Sequence, residues 1–334
     1  MIRTHRLAAV AGFVVALGAF AHAQDYPTQP VRIVVPFPAG GGTDAIARWF
    51  AKGLEAKFGQ PFVVENRAGA GTTIGAGYVA SSAPDGYTLL LGTSSTYSIA
   101  PNVYKKIPFD PIGDFAPVAL VAEVPFVLFV NPKLPVNSVM DLVKLVKASP
   151  GKFSYASAGI GTQHHVNAEL LKTLTGISMT HVPYRGGAPA YTDVVAGHIP
   201  IMFGDVSQVV PLARAGKVRP LAVTIRQRVD SLPDVPTMHE AGITDYNASA
   251  WIAVVAPART PAAIVARLNQ SLVELVKAPE TQQRFTALGL RAVSSTAQAE
   301  SGEVRACALG QGGGSRGRQG NPIGHSVRPR STLI

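Results

Sequence analysis

The chain has 334 residues, 47% hydrophobic and 15% charged, which excludes a disordered polymer and allows two compact units. The formal charge of +10 is unevenly held: Arg3 and Arg6 lie in the leader, and five arginines against two glutamates follow Thr296. About +5 remains on the body, too mild for nucleic-acid binding, and the single cysteine, Cys307, excludes an intrachain disulfide.

The first residues have the pattern of a secretory signal over 1–23. Arg3 and Arg6 form its basic start, Leu7 to Phe20 is apolar, and Ala21-His22-Ala23 offers a cleavage site. The apolar run is too short to span a membrane comfortably, so an exported, periplasmic protein is expected.

Val31 to Val35 is a β-branched run that predicts a strand, and three glycines, Gly40 to Gly42, follow it. Thr43 is positioned as an N-cap, and Ile46, Trp49, Phe50, Gly53 and Leu54 then recur at helical spacing. A strand running through a glycine turn into a helix leaves backbone N–H groups unpaired, and these can hold an anion without a cationic side chain. A tight turn that binds nothing is the alternative.

Further strands are predicted at Phe62 to Glu65 and Tyr87 to Leu91, the latter ending in the hydroxyl-rich Gly92-Thr93-Ser94-Ser95-Thr96. Phe115 to Asn131 is apolar for too long to be one strand of a small sheet. Two strands meeting at Val124-Pro125 are expected, the second leaving the first lobe. Ser249 to Ala256 resembles it and is expected to be the returning crossover. Between them the α/β order repeats: a helix capped at Asn137 or Ser138, then a strand at Phe153 to Ser157. The turn Ala158-Gly159-Ile160-Gly161-Thr162 leads into a helix with Val166, Leu170 and Leu174 on one face. Strands at Met179 to Val182 and Ile199 to Phe203 follow, the second leading to Asp205. Helices are expected from Thr260-Pro261 and from Pro279-Glu280, and a last strand at Leu290 to Val293.

No dinucleotide or P-loop fingerprint, nucleophile elbow or H-E-x-x-H occurs, so no cofactor or metal is expected. Adjacent histidines such as His164 and His165 cannot face one metal from a helix, and a capping or surface place suits them better. Asp205 suits a helix cap, a general base or an ammonium partner, with the cap foremost. Arg67 and Arg185 suit solvated loops. A rival reading is a secreted α/β enzyme acting on a small carboxylic acid through Asp205 and a histidine such as His165.

Val35-Pro-Phe-Pro-Ala-Gly-Gly-Gly-Thr-Asp44, Glu65-Asn-Arg-Ala-Gly-Ala-Gly71, Ala83-Pro-Asp-Gly-Tyr-Thr-Leu-Leu90, Asp114-Phe-Ala-Pro-Val118, Val182-Pro-Tyr-Arg-Gly186 and Leu232-Pro-Asp-Val-Pro-Thr237 occur in this order. Together they resemble the Bug-type periplasmic receptors, the substrate-binding proteins of tripartite tricarboxylate transporters. The resemblance implies an α/β, two-lobed periplasmic-binding-protein fold of type II, with parallel-rich sheets, flanking helices and two crossover strands. Lobe 1 is expected over 24–125 and 248–296, and lobe 2 over 126–247. The implied function is non-enzymatic: a monomer captures a mono-, di- or tricarboxylate or an acidic amino acid and passes it to membrane subunits. Carried over by position, the ligand contacts are Phe37, Ala39, Gly40, Thr93, Ser94 and Ser95 in lobe 1. Those in lobe 2 are Ala158, Gly159, Thr162, Tyr184 and Asp205. The family commonly has Pro where this chain has Ala68, and Gly-Asn where it has Thr72-Thr73.

The end of the chain departs from the family. Residues 297–334 are Gly/Arg-rich without apolar periodicity, which predicts a disordered tail. Read one base later, codons for Gly302 to Gly313 can encode Val-Arg-Ser-Glu-His-Ala-Arg-Trp-Gly-Lys-Val-Val, the family's terminal helix. A frameshift near Glu300 is the expectation.

Overall fold

The computed structural model describes residues 26–294. The signal-peptide and tail readings lie outside the described residues.

Strand β1 (Val31–Val35) is buried except at Arg32 and runs into helix α1 (Gly42–Phe58), whose Ile46, Ala47, Phe50 and Leu54 face the core. Thr43 is not the cap. The helix starts two residues earlier, at Gly42, and its N-cap is Gly41, which supplies no side-chain hydrogen bond. Parallel strands β2 (Phe62–Asn66) and β3 (Thr88–Thr93) flank β1, with α2 (Thr73–Ala80) between them in sequence and the single turn α3 (Ala100–Val103) after β3.

Phe115 to Val130 is one strand, β4, not two. It runs continuously over 16 residues, with two register shifts against β9 (Ser249–Pro257) and one against β8 (Arg219–Val223). Its first part, to Pro125, pairs antiparallel with β9, which pairs in turn with β3. From Phe126 onward it pairs antiparallel with β7 (Ile201–Asp205) and β8. Parallel strands β5 (Ser154–Ser157) and β6 (Thr180–Pro183) complete this second half, where β7 neighbours β5. The changeover therefore falls at Pro125–Phe126 on the way out and at Ala248–Ser249 on the way back. Buried Thr224 ties both passages together: its Oγ1 accepts from Phe126 N at 3.0 Å and donates to Ala248 O at 2.6 Å.

The second half carries α4 (Val139–Lys147), α5 (Gln163–Thr175), α6 (Gly187–Ala196) and α7 (Val206–Arg214). Ser138 caps α4 by accepting from Asp141 N, as the sequence indicates. The expected apolar face of α5 is displaced. His164, Asn167, Ala168 and Leu171 are buried, whereas Leu174 is exposed, because the inner face of this helix borders a polar cleft. Helices α8 (Ala262–Lys277) and α9 (Pro279–Ala287) return to the first half. There Phe285 meets Phe50 edge-on, and Gly53 makes room for Leu275. The predicted last strand reduces to one bridge, Arg291 with Glu123, reinforced by an ion pair of 3.0 Å.

Candidate functional site: two cavities between the halves

The turn after β1 is shaped by a buried carboxylate. Asp44 Oδ2 accepts from Gly40 N and Arg48 Nε, each at 3.0 Å, and Oδ1 accepts from Asn66 Nδ2 at 2.9 Å. Burial acts to raise the Asp44 pKa, but these hydrogen bonds outweigh it and hold the group below the usual carboxylate range. Gly40 thus gives its amide to Asp44. Both Ala39 and Gly40 are exposed and line neither cavity, so the turn faces the cleft two residues later than expected, through Gly41, Gly42 and Thr43.

Across the cleft stands Asp205. A Cβ on Gly42 would lie 2.6 Å from Asp205 Oδ1 and 3.0 Å from Ser207 Oγ, so a bare backbone at 42 permits the two halves to meet. Asp205 occupies the N-cap position of α7 but does not cap it. Its carboxylate accepts from the Tyr191 hydroxyl at 2.8 Å and the Ser207 hydroxyl at 2.7 Å, with His164 Nε2 at 3.9 Å. Burial pushes the Tyr191 hydroxyl well above its ordinary pKa, and Asp205 adds to that.

His164, expected at a helix cap or the surface, is buried edge-on to Phe126, and neither ring nitrogen has a hydrogen-bond partner. Burial pushes its pKa down to about 4, against the pull of Asp205. His165 does not join Asp205. It stacks on His181 with ring centroids 4.2 Å apart, and its Nδ1 accepts from Gly161 N.

This first cavity measures about 50 Å³ and includes Phe37, Thr93, Ser95, Ala158 and Asp205 of the expected residues. Gly42, Gln163, His164, Tyr191 and Ser207 also line it and were missed. Their placement depends on packing between distant segments. Ser95 Oγ accepts from Gln163 N at 3.0 Å, capping α5 from the opposite half, and Ser94 Oγ donates to Gln163 Oε1 at 3.3 Å.

A second, more open cavity of about 220 Å³ adjoins it and shares Phe37, Pro38 and Ala158. Gly159, Thr162 and Tyr184 line this one, beside the turn 68–72, Tyr104 and Arg185. The Tyr104 hydroxyl donates to Ile160 O at 3.1 Å, joining the halves along this wall. Among the described residues no three metal-ligating side chains converge.

Two half-sheets joined by antiparallel crossing strands, with a cleft between them, define a two-lobed periplasmic solute-binding protein. The chain belongs to the tripartite tricarboxylate transporter family of receptors, whose family model matches residues 46–304. It is 39% identical to protein BugT of Bordetella pertussis over 295 residues, covering 87% of this chain and 90% of that one. Among solved structures, an R. palustris protein with adipate shares 37% identity at a TM-score of 0.83, covering 85% of this chain and 95% of the other. MatC from Rhodopseudomonas palustris, with bound malate, shares 32% identity at 0.82, covering 86% and 98%. The periplasmic binding protein BugD shares 35% at 0.82, covering 86% and 96%.

Proposed function

We propose that this chain is an extracytoplasmic receptor that captures a small carboxylate between its lobes, in the periplasm, and delivers it as a monomer to membrane subunits of a tripartite transporter. The division into a discontinuous lobe 1 and an inserted lobe 2 belongs to the same reading. One observation carries it: the start of α1 meets Gln163, His164, Asp205 and Ser207 across the cleft between the halves. Unpaired amides at that helix start, with the Thr93, Ser95 and Ser207 hydroxyls, supply donors for a head group. Related proteins with adipate and malate support a carboxylate. The first cavity holds about four water-sized positions, which suits a head group and little more.

Binding is favoured over turnover because the chain belongs to a receptor family, and His164 has no hydroxyl hydrogen-bonded to it. Thermal-shift titration against acetate, malate, adipate, glutamate and citrate tests the reading. At least one acid is expected to raise Tm progressively with concentration and to be recovered unchanged. No shift with any of them at millimolar concentration, or conversion of the acid, overturns it.

A further inference from the structure

Helix α5 begins without a cap of its own. Thr162 stands at the N-cap position, but its hydroxyl donates to Gly159 O at 2.7 Å and gives the helix no side-chain cap. The acceptor for the first helical amide comes from the other half of the molecule, where Ser95 Oγ accepts from Gln163 N at 3.0 Å. A serine oxygen at that place satisfies one of the amides that a helix start leaves unpaired.

Ser94 adds to this contact. Expected to touch the ligand, it lines neither cavity, is 5% exposed, and donates its hydroxyl to Gln163 Oε1 at 3.3 Å. Gln163 Nε2 donates in turn to Asn167 Oδ1 at 3.0 Å, one turn along α5. Asn167 is fully buried, and its Nδ2 has no partner. A buried amide nitrogen without an acceptor is costly, so the use of this side chain lies at its oxygen, which holds Gln163 toward Ser94. Asn167 O accepts from the Tyr246 hydroxyl at 2.8 Å, just before the chain crosses back at Ala248. The hydrogen-bonded series therefore runs from the hydroxyl turn after β3, through the start of α5, to the return crossing.

Both serine bonds join the two halves, and neither can form once the halves part. Elsewhere along the boundary close approach depends on bare backbone. A Cβ on Gly186 would lie 2.4 Å from Pro38 Cγ, as one on Gly42 would lie against Asp205. A bound ligand leaves only after the lobes separate. Bonds present in the closed form alone therefore slow departure and leave the encounter with the open form unchanged.

We propose that Ser94, Ser95, Gln163 and Asn167 form an interlobe latch, a cap for α5 supplied by the opposite lobe on closure, which prolongs the residence of a captured ligand. Ser94 and Asn167 are positioning residues that act through Gln163. The proposal rests on the receptor reading above and adds to it how the closed form is held.

Ser95 and Gln163 also line the first cavity, so the test falls on Ser94 and Asn167, which line neither. Stopped-flow tryptophan fluorescence of the whole chain with acetate, malate, adipate, glutamate and citrate in turn measures both rates. Trp251, stacked on Tyr97 with centroids 5.6 Å apart, reports from beside the latch. Ser94→Ala and Asn167→Ala are each expected to raise the dissociation rate about three- to tenfold for every acid that binds. Association rates stay within about twofold of the wild type, which also shows that the variants fold. The double variant dissociates no faster than the faster single one, because both changes break the same series. Unchanged dissociation rates, a loss that falls on association, fully multiplicative effects, or a fold-change that differs widely from acid to acid overturns the latch and leaves the receptor reading standing. Failure of all five acids to bind the wild type overturns both.

Discussion

The two cavities share a wall and differ in charge. The first is small and lined by Asp205 and by His164, whose ring nitrogens make no hydrogen bond. The second is larger, more open and lined by Arg185 with no acid. A carboxylate entering the first meets amides and hydroxyls but also a fixed negative charge, whereas one entering the second meets only donors and a cation. The contrast is one of charge, set into linings that are otherwise largely apolar.

The largest expected effect comes from loosening the two crossing strands that join the halves. Thr224→Val leaves Phe126 N and Ala248 O without their buried side-chain partner. At about 1–3 kcal/mol for each orphaned group, a loss of about 4 kcal/mol is expected in urea denaturation. A loss below about 1 kcal/mol would show that Thr224 does not fasten the crossing strands.

Acid sharpens the comparison from the first-cavity side. Folded His164 stays neutral down to about 4, while the unfolded side chain takes up its proton near 6.5. The unfolded state therefore binds more protons in this window. Stability is full above about 6.5 and falls as the pH drops to about 4, by about 3 kcal/mol from His164 alone. His181, pushed down to about 4 by burial and by His165, steepens the same slope. Denaturation midpoints at pH 7.5 and 4.5 measure the fall, and His164→Leu is expected to remove most of its share. An unchanged slope in that variant would place the titration elsewhere.

The smallest effect probes the charge contrast itself. Asp205→Asn removes the like charge facing a ligand carboxylate, so acetate or another plain acid is expected to bind about three- to tenfold tighter. Glutamate, whose ammonium loses a partner, is expected to bind more weakly. Equal changes for both acids in calorimetry would show that Asp205 does not discriminate between them.

Local pattern was enough for much of the scaffold. A β-branched run, a glycine turn and a 3.6-residue apolar spacing are properties of neighbouring residues, and β1, α1 and the Ser138 cap formed where those patterns lay. The two apolar runs that cross between the halves were legible for the same reason. What could not be read was anything that needed a partner far along the chain. The continuity of β4 goes with its pairing to β9, over a hundred residues later. Leu290 to Val293 had strand composition but found only one bridging partner.

The site divides in the same way. The sequence by itself determined which turns carry bare amides and hydroxyls: the glycines after β1, Thr93 to Ser95 after β3, and Gly159 to Thr162 after β5. Tertiary structure decided which of those groups face the ligand space. It turned Gly40 toward Asp44, set Gly42 against Asp205, and buried His164 without a partner. The reason is physical. Secondary structure follows short-range dihedral and periodic preferences, whereas the direction of a donor across a cleft is fixed only when segments distant in sequence pack against each other.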